Sequence, residues 1–192
     1  MKKVFLLLIL MVLGGVSYSQ VRIVDNDSLK SVITTSDKPY KLIYVFCDYC
    51  RPSVERFPKL LEVLKGNSDV ALFPICAQGY GEVAEYLKRN GFSETIYLIN
   101  QKRKIKMIDL YNPIKFTCKL LHKQLDIPTD KMGASDYCLL DKDNKVVLQT
   151  HWEMPDSLYF GQLKEYFARF RSQPDECRAH VGGRQHLSLC FS

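Results

Sequence analysis

One stretch, Tyr44 to Pro58, constrains this chain more than any other: Tyr-Val-Phe-Cys-Asp-Tyr-Cys-Arg-Pro-Ser-Val-Glu-Arg-Phe-Pro. The residues leading into its cysteines, Lys41 to Phe46, are nearly all apolar and β-prone, the pattern of a strand buried on both faces of a sheet. Beyond the cysteines, Val54, Phe57, Leu60, Leu61 and Leu64 recur at helical spacing until Gly66-Asn67 stops the helix. Two registrations of a thiol site are open. One pairs Cys47 with Cys50 as Cys-x-x-Cys, and the other sets Cys50 first and Ser53 in the second position. The prolines favour the second. With a helix starting at Cys47, Pro52 would fall inside it, lacking a donor and clashing with the preceding turn at a cost of about 3 kcal/mol. The residue before a proline also avoids helical geometry, so Arg51 is expected to be extended and the helix to start at about Pro52. Cys50 then sits just ahead of the helix, where the positive helix end and Arg51 both suit a reactive thiol.

The rest of the chain supplies the scaffold. Val21 to Val24 reads as a short strand, Asp27 to Ile33 as a brief helix or turn, and Val70 to Cys76 as a second buried strand whose ladder Pro74 is expected to cut short. Gly81 to Asn90 is a helix and Thr95 to Asn100 a strand. Asn112 to Leu125 is a helix with Pro113 at its first position and Ile114, Cys118, Leu121 and Leu125 on one face. Ser135 to Asp141 and Lys145 to Thr150 form a hairpin, and Ser157 to Arg171 closes the chain with Leu158, Leu163, Tyr166, Phe167 and Phe170 inward. This order predicts an α/β fold ending in an antiparallel pair.

Length and composition, 192 residues with 46% hydrophobic and 25% charged, fit one ordinary domain. Lys2 and Lys3, the apolar run Val4 to Leu13 and the small residues through Ser19 read as a secretory signal peptide over 1–19. The run is shorter than the roughly 20 residues of a membrane span, so no stable membrane insertion is expected after cleavage. The expectation is an exported protein, periplasmic or otherwise extracytoplasmic, with a domain over 20–171 and an unstructured tail over 172–192. The net charge of +6 is scattered apart from Lys102 to Lys106, which has no aromatic platform beside it, so nucleic acid is not an expected partner.

The element order, together with Tyr49, Cys50-Arg51-Pro52-Ser53 and Pro58, resembles the thioredoxin superfamily. More narrowly, it resembles the exported thiol-disulfide oxidoreductases of the TlpA and ResA type, related to the alkyl hydroperoxide reductase and thiol-specific antioxidant family. Those proteins carry an aromatic residue, Cys-x-Pro-Cys and a proline five residues on. The resemblance implies a thioredoxin-like fold, with a central mixed sheet, helices on both faces and a C-terminal β-hairpin plus helix. It implies Cys50 as nucleophile, Ser53 in place of the resolving cysteine, and Cys47 in the loop upstream.

The family's second motif, a cis-proline facing the cysteine, is matched by Gly133 to Asp141 with Ser135 in the proline's place, and a trans peptide is expected there. Pro128-Thr129 offers the motif locally but lies too early relative to the strand. Cys76 ends the strand after the first helix and so reaches the same sheet edge as Cys47 and Cys50, which makes it a possible resolving thiol. No cofactor is implied. The implied partners are protein thiols or disulfides, or a membrane redox partner.

Seven cysteines in an exported chain leave at least one without an intramolecular partner. Cys118 and Cys138 lie on apolar faces and are expected to be buried structural residues. Cys177, His180, His186 and Cys190 have spacings that could hold zinc, yet their segment lacks hydrophobic periodicity, which favours an unattached tail. His151-Trp152 reads as packing. Three functions compete: a thiol-disulfide oxidoreductase in which a second cysteine resolves, a monothiol variant using Ser53, and a binding module that has lost turnover. A peroxiredoxin-type peroxidase is disfavoured, because Cys47 and Ile43 stand where that family places Thr or Ser and Pro. Copper delivery lacks a histidine tied to the site by sequence.

Overall fold

The structure is a computed structural model, describing residues 21–76, 80–100 and 112–172. The segment 1–19 expected to be a signal peptide, the basic run Lys102 to Lys106 and the cysteines and histidines beyond Ser172 lie outside the described residues.

In chain order the elements are β1 (Val21–Val24), α1 (Asn26–Thr34), β2 (Tyr40–Val45), α2 (Arg51–Leu64), β3 (Val70–Cys76) and α3 (Tyr80–Asn90). Then follow β4 (Ile96–Ile99), α4 (Pro113–Leu125), β5 (Tyr137–Leu140), β6 (Val146–Gln149) and α5 (Asp156–Ser172). The strands form one sheet in the order β1-β4-β3-β2-β5-β6. The first four pair in parallel, whereas β5 runs antiparallel to both β2 and β6. This is the expected thioredoxin-like α/β arrangement, with a mixed sheet, helices on both faces and a closing hairpin plus helix.

Strand β2 lies inside the sheet, and all six of its residues are buried. Alternation sends Leu42, Tyr44 and Phe46 to one face, against Phe57 and Leu60 of α2, Leu87 of α3, and Tyr159 and Leu163 of α5. Ile43 and Val45 go to the other, against Leu29 and Ile33 of α1 and Cys118 and Leu121 of α4. Lys41 is the polar exception in this strand. Its stem is buried, and its ammonium reaches the carbonyls of Asp141 and Lys142, both at 3.4 Å.

The structure corrects three details of the sequence reading. The β2–β3 ladder continues past Pro74, with Tyr44 opposite Pro74 and Val45 opposite Ile75. Phe46 N–H donates to the Ile75 carbonyl, so alternation turns Pro74 toward β4, where pairing is confined to Ile75 and Cys76. Secondly, Arg51 is already helical and Cys50 is the extended residue. The Val54 N–H donates to the Cys50 carbonyl, closing a first turn in which Pro52 occupies a position that needs no donor. Finally, α5 buries Leu163 and Phe167 as expected, but its first turn brings Tyr159 inward in place of Leu158, which is 60% exposed.

Cys118 and Cys138 are buried, as their apolar faces imply. Burial pushes their thiols up to about 11 and about 12, with the Asp136 charge adding to the effect at Cys118. The folded chain therefore holds these protons after the unfolded chain, with thiols near 9.0, has released them, and stability falls as pH rises through that window. Urea denaturation between about pH 8 and pH 11 is expected to show this loss, at roughly 1 kcal/mol per pH unit for each thiol, and Cys138→Ala is expected to flatten the slope.

Candidate active site

At the C-terminal end of β2 the backbone leaves the sheet. Phe46 makes the last ladder bond, and Cys47 to Cys50 turn back on themselves with Asp48 and Tyr49 at the corner. Cys50 N–H donates to the Cys47 carbonyl at 3.4 Å. A turn of this kind keeps its end α-carbons within about 7 Å, which is the reach a disulfide requires. Cys50 caps α2 with extended angles, φ −92° and ψ 111°, and its side chain makes no capping hydrogen bond. It is half-buried, while Cys47 is buried. Burial pushes the Cys47 thiol up to about 11, with Cys50 adding and hydrogen bonds from Tyr49 opposing.

Ser53 is fully buried. Its Oγ accepts the Cys47 N–H at 3.0 Å, and its carbonyl accepts the Tyr44 hydroxyl at 2.9 Å. The serine in the second motif position thus ties the thiol turn down onto the first turn of α2. Arg51 faces solvent and pairs with Glu55 at 2.7 Å.

Cys76 is fully buried at the same sheet edge, packed with Phe46, Val83 and Tyr86. Continuing the β2–β3 register sets Cys76 opposite Phe46, the residue just before the turn that holds Cys47. The structure therefore brings Cys47 and Cys50 into one turn and puts Cys76 in the core under α3. Cys47, Cys50, Cys118 and Cys138 are free thiols.

Ser135 lies beside this turn. The peptide bonds are trans among the described residues, and Ser135 adopts a left-handed φ of 77°. Its N–H donates to the Val45 carbonyl at 2.8 Å, and the Val45 N–H donates to the Asp136 carbonyl at 2.9 Å. Ser135 Oγ accepts from Arg56 Nη1 at 3.0 Å, and its carbonyl accepts the Tyr159 hydroxyl. Pro128 instead turns its carbonyl to the side-chain amide of Gln149 on β6, at the edge of the sheet.

Asp136 is fully buried, and its carboxylate accepts from Gly133 N at 2.7 Å and Thr150 Oγ1 at 3.1 Å. Burial raises its pKa, against the opposing pull of those bonds, Arg56 and His151. Tyr49 and Trp152 are the large exposed aromatics at this end, at 64% and 62%. Trp152 is thus surface rather than packing, its N–H bonded to the Lys131 carbonyl and its Cβ close to Gly133.

Sequence reasoning missed Tyr44, Arg56 and Tyr159. An arginine directly before Phe57, on a helix otherwise facing a core, was the available signal for one of them. An open apolar groove of about 640 Å³ runs between α2 and β3, past Leu61, Leu64, Leu72 and Phe92, and touches none of the cysteines. Among the described residues no group of three or more His, Cys, Asp or Glu could hold a metal ion, and no helix is long and apolar enough to cross a membrane.

No protein-family model and no curated protein matches the chain. Solved structures that it resembles include a proposed protein disulfide isomerase from Bacteroides thetaiotaomicron, with TM-score 0.49 and 16% identity over 79% of this chain and 83% of that one. StoA from Bacillus subtilis aligns with TM-score 0.46 and 16% identity over 69% of this chain and 85% of that one. A thiol-disulfide oxidoreductase from Bacteroides fragilis aligns with TM-score 0.44 and 16% identity over 69% and 86%. The fold assignment itself rests on the strand order and connectivity described above.

Two measurements check the site's geometry. In a Cys177→Ser, Cys190→Ser background, a water-soluble maleimide is expected to label Cys50 quickly and the buried Cys47, Cys76, Cys118 and Cys138 only on unfolding. Equally fast labelling of Cys47 would show that the turn does not bury it. Ser53→Ala leaves the Cys47 N–H without its partner and is expected to cost about 1–3 kcal/mol in urea denaturation.

Proposed function

We propose that this chain is an exported thiol-disulfide oxidoreductase of the TlpA and ResA type, with Cys50 as nucleophile and Cys47 as resolving thiol. The observation that carries the reading is the single turn that sets both cysteines at the N-terminus of α2, Cys50 half-buried and Cys47 buried behind it. The apolar run behind Lys2 and Lys3 supports export.

Cys50 Sγ, as thiolate, attacks one sulfur of a protein disulfide. That S–S bond breaks, the other substrate sulfur leaves as a thiolate and takes a proton from water, and a mixed disulfide remains on Cys50. Deprotonated Cys47 then attacks Cys50 Sγ, which releases the second substrate thiolate and leaves a Cys47–Cys50 disulfide. The substrate gains two electrons and the chain loses two. A protein dithiol or membrane redox partner returns the turn to its reduced state.

The high pKa of Cys47 bears on the second step. With its thiol at about 11, roughly one molecule in 10⁴ carries the Cys47 thiolate at neutral pH. A monothiol cycle, in which an external thiol resolves Cys50, is favoured by that same observation. Ser53 in this cycle shapes the turn, since its Oγ is engaged with Cys47 N–H.

The two cycles separate on pH. With Cys47 resolving, release of the mixed disulfide without added thiol is expected to accelerate about tenfold per pH unit from neutrality toward the Cys47 pKa, and Cys47→Ala is expected to abolish it. Release that depends on added glutathione alone, unaffected by Cys47→Ala, assigns the monothiol cycle. If wild type and Cys50→Ala are equally inert toward disulfides, the binding module without turnover stands instead.

A further inference from the structure

We propose that Arg56 is a positioning residue which, together with Tyr159, clamps the Gly133–Ser135 segment beside the thiol turn and so governs access of polypeptide disulfides to Cys50. The proposal rests on the oxidoreductase reading above. It starts from an arginine that is hardly solvated: the Arg56 side chain is 12% exposed. An unpaired guanidinium in that position would be costly, and this one is satisfied on several sides.

Its Nη1 donates to Ser135 Oγ at 3.0 Å and its Nη2 to the Met154 carbonyl at 3.4 Å. Nε and Nη2 meet Asp156 Oδ1 at 2.9 and 2.8 Å. The guanidinium also lies over the Tyr159 ring, 4.4 Å from its centroid, and the hydroxyl of that ring donates to the Ser135 carbonyl. One side chain of α2 thereby connects the helix that carries Cys50 to the segment before β5 and to the start of α5.

The backbone of Ser135 shows what the clamp holds. A non-glycine residue at φ 77° is uncommon and persists where surrounding bonds over-determine it. Here three partners fix it: the Val45 carbonyl on its N–H, Tyr159 on its carbonyl and Arg56 on its side chain. The half-buried Gly133 and Ala134 are held next to the end of β2, two residues before Cys47. A small disulfide reaches Cys50 with its sulfur alone, whereas a polypeptide disulfide brings flanking residues that meet this segment. Lysine cannot replace Arg56, because a point charge cannot meet Ser135, Met154 and Asp156 together.

The test compares wild type, Arg56→Ala, Arg56→Lys and Ser135→Ala in the Cys177→Ser, Cys190→Ser background. The measured quantity is the rate at which Cys50 forms a mixed disulfide with hydroxyethyl disulfide and with insulin. Arg56→Ala and Arg56→Lys are expected to slow the insulin reaction by about 10–100-fold while leaving the small disulfide within about twofold. Ser135→Ala removes only the acceptor and is expected to shift the insulin rate in the same direction. Equal slowing of both probes, or of neither, overturns the proposal.

Amide hydrogen exchange supplies an arm independent of the chemistry. Exchange at Ser135 is expected to rise at least about tenfold in Arg56→Ala with Leu139 of β5 unchanged. Unchanged protection of Ser135 overturns the clamp. If wild-type Cys50 reacts with neither disulfide, the oxidoreductase reading fails and the exchange arm alone decides whether the clamp exists.

Discussion

The hydrogen bond from Cys47 N–H to Ser53 Oγ is the contact on which the architecture of this end of the molecule depends. After Phe46 the backbone has no further strand to pair with, yet Cys47 is still buried. A buried amide must find an acceptor, and leaving one unmade costs about 1–3 kcal/mol. Ser53 provides that acceptor from the first turn of α2, while Tyr44 fixes the serine from below through its carbonyl. That bond ties the turn to the first turn of α2, whose start is set by Pro52 and the Val54 N–H on the Cys50 carbonyl. A cysteine in place of Ser53 would offer a much weaker acceptor, so the serine secures the Cys47 amide as a thiol there would not.

Much of this was legible before any coordinates. Pro52 lacks a donor and tolerates only the start of a helix, so the position of Cys50 ahead of α2 could be read from two letters of sequence. Strand β2 was legible because burial on both faces leaves an uninterrupted apolar run, and the closing hairpin because its turn residues break two β-prone stretches. What escaped was set by tertiary partners. Arg51 is helical because a hydrogen bond to Cys50 closes the turn, against the local preference of a residue before proline. Helix α5 presents Tyr159 rather than Leu158 to the core because the tyrosine hydroxyl has a carbonyl to reach at Ser135. Apolar periodicity ranks leucine above tyrosine and cannot see that acceptor.

The three thiols at this sheet edge show how little sequence position says about chemical partnership. Cys76 closes β3 and packs into the core beside α3, whereas Cys47 lies beyond the end of β2 in the turn. Cys50 belongs to neither strand. It reaches Cys47 through the turn at Asp48 and Tyr49. Arg51 illustrates the same limit for charge: adjacent to Cys50 in sequence, it spends its guanidinium on an exposed pair with Glu55.

The unequal reach of the sheet's pairings has a consequence for how the chain acquires its shape. Strands β2 and β3 are joined by α2 alone, so Tyr40 need only find Val70 across one helix. Strand β1, by contrast, pairs Val21 with Ile96, and β2 pairs Lys41 with Leu140, each closing a far longer loop. Loop-closure entropy makes the β2-α2-β3 unit the least costly part of the sheet to assemble. The segment bearing Cys47, Cys50 and Ser53 lies wholly within that unit. The contacts that place Cys47, Cys50 and Ser53 therefore close shorter loops than the β2–β5 pairing that brings in Cys138.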